Sequence, residues 1–425
     1  MAIPEREPAQ RLMVLAAPAS IAVVGGGVAG FSAVRELRRR GYAGALTLVD
    51  PAGLPYDRPP LSKAFLAGSL DRLRLQLAPE QWYEDNGITV LADAVDKLDA
   101  GNGTEAPVLA LASGRDLAAD VVLLATGARA RRLPLPGMDL PGVFTLRSAD
   151  DALALQGHLA SGAHLVILGA GLVGAEVAGT ARGLGAGVTL VDPAELPFAQ
   201  AVGPAMAGYL HGLHAAHGTE YVRGAAAGIT PDGNVLRVEL ADGSRLSGTA
   251  VLVAAGSEPE TALAEAAGLA VDAGLLVDAS GRTSHPRIFA AGDSSRRLGP
   301  DGAPGRRFEH WDAARRTGEA AAAGMLGAEP PAGTADWFWS DRYGVHLEVA
   351  GSMAVPGQTV LRGEPGSGFM VFCLDQDGSL AGAAAVDGGT AVRAARKLIE
   401  SGRILDPVLL QDPAVDLRRL ARAKP

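Results

Sequence analysis

Residues 21–50 and 165–192 repeat one pattern: an apolar strand, G-x-G-x-x-G, a helix of small residues, and a second strand closing on aspartate. The first copy reads IAVVGGGVAGFSAVRELRRRGYAGALTLVD and the second LVILGAGLVGAEVAGTARGLGAGVTLVD. A G-x-G-x-x-G alone says little. Between a strand and a helix, with an acid about 20 residues on, it is the fingerprint of a dinucleotide-binding unit. Gly25 and Gly169 permit the sharp turn off the strand, and Gly27 and Gly171 let backbone approach a pyrophosphate. Gly30 and Gly174 let the helix press on the sheet, with the phosphates at its N-terminus. Asp50 and Asp192 can each accept hydrogen bonds from a ribose. Two such units predict two bound dinucleotides.

Composition excludes several alternatives. A chain of 425 residues with 20% charged residues suits two or three packed α/β domains rather than disorder. No apolar run reaches the roughly 18 residues of a spanning helix. The apolar stretch 12–17 is too short for a signal-peptide core, so 1–20 reads as an extension and the protein as cytoplasmic and not membrane-bound. A net charge of −9 argues against nucleic-acid binding. The single cysteine, Cys373, excludes an internal disulfide and, within GFMVFCLD, reads as a small core residue rather than a nucleophile. No metal site is expected.

The fold class predicted is α/β, with two Rossmann-like domains in a glutathione-reductase-like arrangement and a C-terminal α+β domain. DVVLLATGA at 120–128 and TAVLVAAGSEP at 249–259 have the same strand-then-turn ending, which supports an internal duplication. The domains are expected at 15–127 with 255–327, at 128–254, and at 328–425. The last is expected to pack against the cofactor side of the other two.

The segment YDRPPLSKAFLAG at 56–68 closely resembles the ferredoxin reductase components of bacterial oxygenase systems, and the resemblance runs along nearly the whole chain from residue 21. ATGA, TLRSADDA, GAGLVGAEVA, IFAAGD, FEHW, WFWSD and DPAVDLRRLA carry it. The resemblance implies non-covalent FAD in the first unit and NADH in the second. It places Lys63 beside the reactive edge of the flavin, Arg58 near the cofactor and Val95 at its adenine end. Arg147 and Asp293 are placed on the FAD, Trp311 against its ring system, and Val28 and Ala29 among its further contacts. Read without the resemblance, Lys63 is a solvated loop lysine.

For the second unit the resemblance implies NAD contacts from Leu172, Val173 and Gly256, and pairs Glu176 with the lysine near the flavin. A glutamate early in a helix is also favourable through the helix dipole alone. Trp339 and, less directly, Glu309 match site residues of the family, whereas Trp337 and Phe338 read as packing residues. Pro193, Ala194 and Glu195 follow Asp192 with no neighbouring Arg or Lys for a 2′-phosphate, so NADH is expected over NADPH. Hydride transfer between stacked rings requires alignment and exclusion of water, not an acid, base or nucleophile.

Glutathione-reductase-like enzymes place paired cysteines beside the flavin; here that region is PPLSK, so thiol relay is unavailable. The resemblance implies a small [2Fe–2S] ferredoxin as acceptor, feeding a cytochrome P450 or a ring-hydroxylating oxygenase. Such ferredoxins are often acidic. Arg296, Arg297, Arg306, Arg307, Arg315 and Arg316 read equally as a steering face and as solvated arginines. Ala313 and Thr317 stand where relatives often carry Asn and Gln, which leaves partner choice open. Two other readings remain: an NADH oxidase or quinone reductase with a small acceptor, and an NADH-sensing flavoprotein of the apoptosis-inducing-factor type. Monomer and homodimer are both open.

Overall fold

The computed structural model describes residues 18–102 and 105–422; the expected domain start at residue 15 and the apolar stretch 12–17 lie outside them. Strand β1 (Ser20–Val24), helix α1 (Val28–Arg39) and strand β2 (Ala45–Val49) form the first repeat. They belong to a five-stranded parallel sheet ordered Ile288–Ala290, Val121–Leu124, β1, β2, Ile88–Leu91. Val121–Leu124 is buried along its whole length, as a parallel strand covered on both faces must be.

Strand β3 (His164–Leu168), helix α2 (Leu172–Gly183) and strand β4 (Gly187–Asp192) form the second repeat. Their parallel sheet is ordered Glu220–Arg223, β4, β3, Ala250–Val253, Val143–Phe144. Each unit also carries a three-stranded antiparallel sheet, spanning Val95 to Ala118 in the first and Ala226 to Gly248 in the second. The duplication therefore extends well beyond the glycines. Where the chain passes from one unit to the other and back, Ala128–Ala130 pairs antiparallel with Ser257–Pro259.

The same backbone geometry starts both repeats. Gly25 and Gly169 have φ +105° and +109°, and a Cβ there would lie 2.3 and 2.4 Å from the carbonyl oxygens of Ala125 and Ala254. Only glycine tolerates both the torsion and the approach. At Gly30 and Gly174 a Cβ would sit 2.0 and 1.9 Å from the carbonyl oxygens of Gly25 and Gly169. The helix thus packs directly on its own turn.

Helix α3 (Trp311–Met325) lies on α1, and Gly318 comes so close that a Cβ would be 2.2 Å from the Ala29 oxygen. Beyond it a five-stranded antiparallel sheet is ordered Trp337–Arg342, Val345–Gly351, Leu380–Val386, Ser367–Asp375, Gly357–Glu364. Helix α4 (Gly389–Ser401) covers one face with Val392, Ala395 and Leu398 buried. This unit touches both others. Phe338, Val349 and Val371 share a core with Val202, Met206 and Leu210 of the second unit, because helix Pro204–Ala216 turns its apolar face toward the sheet. Arg396 of α4 reaches Asp312 of α3 at 2.7 Å.

Candidate active site

One cavity lies where the three units meet. Gly25, Gly27, Val28, Ala29 and Asp50 line it from the first repeat, and Arg58 and Lys63 from the following turn. Leu172, Val173 and Glu176 enter from the second repeat, with Arg147, Asp293, Glu309, Trp311 and Trp339 completing the wall. Fifteen of the predicted residues are thus brought together. Gly30, Val95, Gly169, Gly171, Gly174, Asp192 and Gly256 are not in its lining. Val95 begins the antiparallel sheet of the first unit and is partly buried against its core.

Proline dictates how Lys63 is delivered. Pro59 and Pro60 open a single 3-10 turn, Pro59–Ser62, where fixed φ suits the first helical positions and the missing N–H is no loss. Lys63 caps that turn, and its Nζ lies 3.3 Å from Glu176 Oε1 and 2.8 Å from Asp341 Oδ2. It also sits 5.6 Å from the centroid of the Trp339 ring. Glu176 is buried and accepts hydrogen bonds from Ser62 Oγ at 2.5 Å and Ser340 Oγ at 2.8 Å. Asp341 Oδ1 in turn meets His346 Nδ1 at 2.5 Å, and burial raising its carboxyl is outweighed by His346 and Lys63, which hold it below the usual range. The lysine is not a solvated loop residue.

Aromatic side chains also line the cavity. Trp311 Nε1 donates to Asp57 Oδ1 at 2.8 Å, and burial pushes the Asp57 carboxyl up despite this bond. Trp339 lies 6.1 Å from Trp311 at 66° and stacks on Trp337 at 5.1 Å. Phe338, expected only to pack, lines the cavity and stacks on His310 at 4.3 Å. His310 was not evident from sequence. Burial holds it below the ordinary imidazole range, so it is neutral near pH 7. Its only sequence signal is its place between Glu309 and Trp311. Glu309 pairs with Arg307 and accepts from Ser257 Oγ, next to Gly256.

Two arginines, Arg58 and Arg147, line the cavity with buried donors. Arg58 Nη1 is 2.6 Å from where a Gly27 Cβ would stand, so a side chain there would push the guanidinium aside. Nε of Arg58 and Nε of Arg147 are buried with no hydrogen-bond partner among the described residues. Buried donors in that state call for an anionic acceptor. Arg147 Nη2 also donates to Asp293 Oδ2 at 2.8 Å. Thr317 takes the Gly292 N–H at 2.9 Å and so has a local structural role.

The two aspartates behave alike. Asp50 Oδ2 accepts from Gly26 N at 2.6 Å and Oδ1 from Ala52 N at 2.8 Å; Asp192 Oδ2 accepts from Ala170 N and Oδ1 from Ala194 N, both at 2.9 Å. Each carboxylate anchors its glycine turn with one oxygen and the following loop with the other. The expectation that no basic residue neighbours Asp192 is wrong. Arg223 ends the adjacent strand in register with Asp192, and its Nη1 lies 3.6 Å from Glu195. Strand pairing, not chain proximity, brings it there.

Of the six clustered arginines, Arg296 pairs with Asp272 at 3.0 Å and Arg315 with Asp312 at 2.8 Å. Arg316 is 3.1 Å from Asp312 and Arg307 pairs with Glu309. Arg297 and Arg306 are exposed. Cys373 is buried in the C-terminal sheet outside the cavity lining, donating to Val355 O at 3.3 Å, and burial pushes its thiol up.

The model of the pyridine nucleotide-disulphide oxidoreductase family matches residues 19–318, and that of the reductase C-terminal domain matches 337–421. The chain belongs to the pyridine nucleotide-disulphide oxidoreductase family. Within that family it is 37% identical over 408 residues to the chlorobenzene dioxygenase ferredoxin reductase component of Cupriavidus sp. (strain PS12), covering 95% of this chain and 98% of the relative. It is likewise 37% identical to the biphenyl dioxygenase ferredoxin–NAD(+) reductase component of Paraburkholderia xenovorans, covering 96% and 99%. Among solved structures, a ferredoxin reductase from Rhodopseudomonas palustris superposes with a TM-score of 0.89 at 33% identity, covering 95% of this chain and all of the other. The putidaredoxin reductase–putidaredoxin covalent complex gives 0.88 at 30% identity, covering 95% and 99%. The resemblance drawn from the motifs is therefore correct. The family is named for disulphide chemistry, yet these 425 residues hold one cysteine, placed in the C-terminal sheet.

Proposed function

We propose that this protein is an NADH-dependent ferredoxin reductase that passes electrons singly to a [2Fe–2S] ferredoxin serving a cytochrome P450 or ring-hydroxylating oxygenase. One observation carries the reading. Lys63 of the first nucleotide unit and Glu176 of the second meet at 3.3 Å, beside Trp339 of the third, in a cavity without a thiol. Bound FAD supplies the change from hydride acceptance to single-electron release. The residues present fit it: the free Nε donors of Arg58 and Arg147 suit its pyrophosphate, and Asp50 its ribose. Asp192 reads the ribose of NADH at the second turn, with Leu172 and Val173 at the helix start. Lys63 holds positive charge at the reactive edge, and the two tryptophans and Phe338 exclude water and set ring alignment.

The domain division we adopt is 15–127 with 255–327 for FAD, 128–254 for NADH and 328–425 for the third unit. We take the ferredoxin to be acidic, because Arg297 and Arg306 present exposed cations while the other four clustered arginines face carboxylates. No helix among the described residues is long and apolar enough to cross a membrane, and we place the protein in the cytoplasm. The test is NADH-driven reduction of cytochrome c with and without ferredoxins from the same genome. Strong ferredoxin dependence supports the reading. Rapid turnover with oxygen or quinone alone would replace it with a small-acceptor reductase, and slow turnover with every acceptor would favour a sensing role.

A further inference from the structure

We propose that Glu195 and Arg223 form a charge gate for coenzyme choice, in which Glu195 occupies the arginine that would otherwise receive a 2′-phosphate. The proposal rests on the reading that the second unit binds NADH. Arg223 and Asp192 are in register on neighbouring parallel strands, so their side chains leave the sheet on one face. Both stand at carboxyl ends of strands, where open α/β sheets bind ligands. Arg223 Nε donates to Pro193 O at 3.3 Å, and Nη1 lies 3.6 Å from Glu195 Oε2. Tyr221, from the same strand as Arg223, shares its one hydroxyl proton between the carbonyls of Asp192 and Ala194 and so braces the loop that carries Glu195. The guanidinium thus lies over the loop that follows the ribose-reading aspartate.

An arginine in this neighbourhood is the group that accommodates a 2′-phosphate. Here Asp192 and Glu195 flank it. The side chains of Arg223 and Glu195 are 63% and 86% exposed, so both can reach a bound nucleotide. A 2′-phosphate would have to displace Glu195 and stand beside Asp192. Rejection therefore has two separable parts: repulsion by Asp192, and pre-emption of the receptor by Glu195. Removing the second leaves a guanidinium whose fork suits a phosphate.

The test is calorimetric titration of the holoenzyme with 5′-ADP and 2′,5′-ADP, for the wild type, Glu195→Gln, Arg223→Ala and the double variant. Glu195→Gln should tighten 2′,5′-ADP about fivefold, less at high salt, as expected for an exposed charge pair. Affinity for 5′-ADP should stay within about twofold, since it carries no 2′-phosphate to sense the pair. The gain should vanish when Arg223→Ala is added. A gain that survives loss of Arg223, or no gain while 5′-ADP still binds, overturns the gate. Failure of 5′-ADP to bind any of the four proteins would instead overturn the coenzyme reading of the second unit, and the gate with it.

Discussion

Lys63 and Glu176, 113 positions apart in the chain, form an ion pair at 3.3 Å that joins the first nucleotide unit to the second. The carboxylate is only 2% exposed and the lysine 17%, so the pair is largely shielded from solvent. Ser62 and Ser340 complete the carboxylate's hydrogen bonds, and Asp341 shares the ammonium.

Removing one member should therefore affect both stability and chemistry. Lys63→Ala leaves Glu176 buried without its cation, a loss on the order of 3 kcal/mol for a broken buried pair. We expect a lower urea midpoint and slower flavin bleaching by NADH in anaerobic stopped flow. Lys63→Arg, which keeps the charge, should recover stability more fully than rate. Equal stability in Lys63→Ala and wild type would mean the pair is not structural.

The two glycines of the second turn should respond differently to one methyl group. At Gly174 an added Cβ would lie 1.9 Å from the Gly169 oxygen, whereas at Gly171 nothing lies within 4 Å. Gly174→Ala should destabilise by roughly 2 kcal/mol through overpacking. Gly171→Ala should leave the melting temperature unchanged and raise KM for NADH about tenfold, near 1.4 kcal/mol of lost binding. Thermal melts and steady-state kinetics on the two variants separate packing from ligand approach.

Asp192→Ala combined with Pro193→Arg should move preference toward NADPH. Because Asp192 also holds Ala170 N and Ala194 N, kcat/KM for NADH should fall at the same time as the turn loosens. The ratio of the two specificity constants is the readout. An unchanged ratio would place the ribose elsewhere.

These contrasts show what one sequence makes legible. The turn, the helix start and the closing aspartate are local, so Gly25, Gly169, Asp50 and Asp192 could be read directly from spacing. Contacts made by strand pairing could not. Arg223 lies 30 residues beyond Pro193 and reaches it only through the parallel register of the edge strand. His310 and Phe338 meet because the third unit folds over α3, a packing event without a sequence period to announce it.

Acid should weaken the joint between α3 and α4. Burial raises the Asp312 carboxyl, but Arg315, Arg396 and Arg316 outweigh it and hold the group below its ordinary 3.8. A depressed carboxylate stabilises the fold fully above its unfolded value and loses that contribution as pH falls through the folded one. Stability should therefore decline below about pH 4. Asp312→Asn should be less stable at neutral pH and show a shallower decline in urea unfolding across this range. A parallel decline in both proteins would assign the acid sensitivity to other groups.

Cys373→Ser should retain full NADH-driven flavin reduction and ferredoxin turnover. Its thiol is buried, pushed above its usual pKa and outside the cavity lining. Thiol-blocking reagents should likewise leave the native enzyme active. A large loss of turnover in a folded variant would reopen sulfur chemistry.

The strand Ile288–Ala290 completes the first sheet by pairing with Val121–Leu124, although the second unit's sheet strands from His164 to Val253 lie between them in the chain. On the ribosome, which extends the chain from its N-terminus, that seam stays open until the inserted unit has been synthesised. An apolar strand edge is then a template for pairing with other nascent chains. Assembly is thus ordered by topology: the fold that begins first is sealed only after its neighbour has been made.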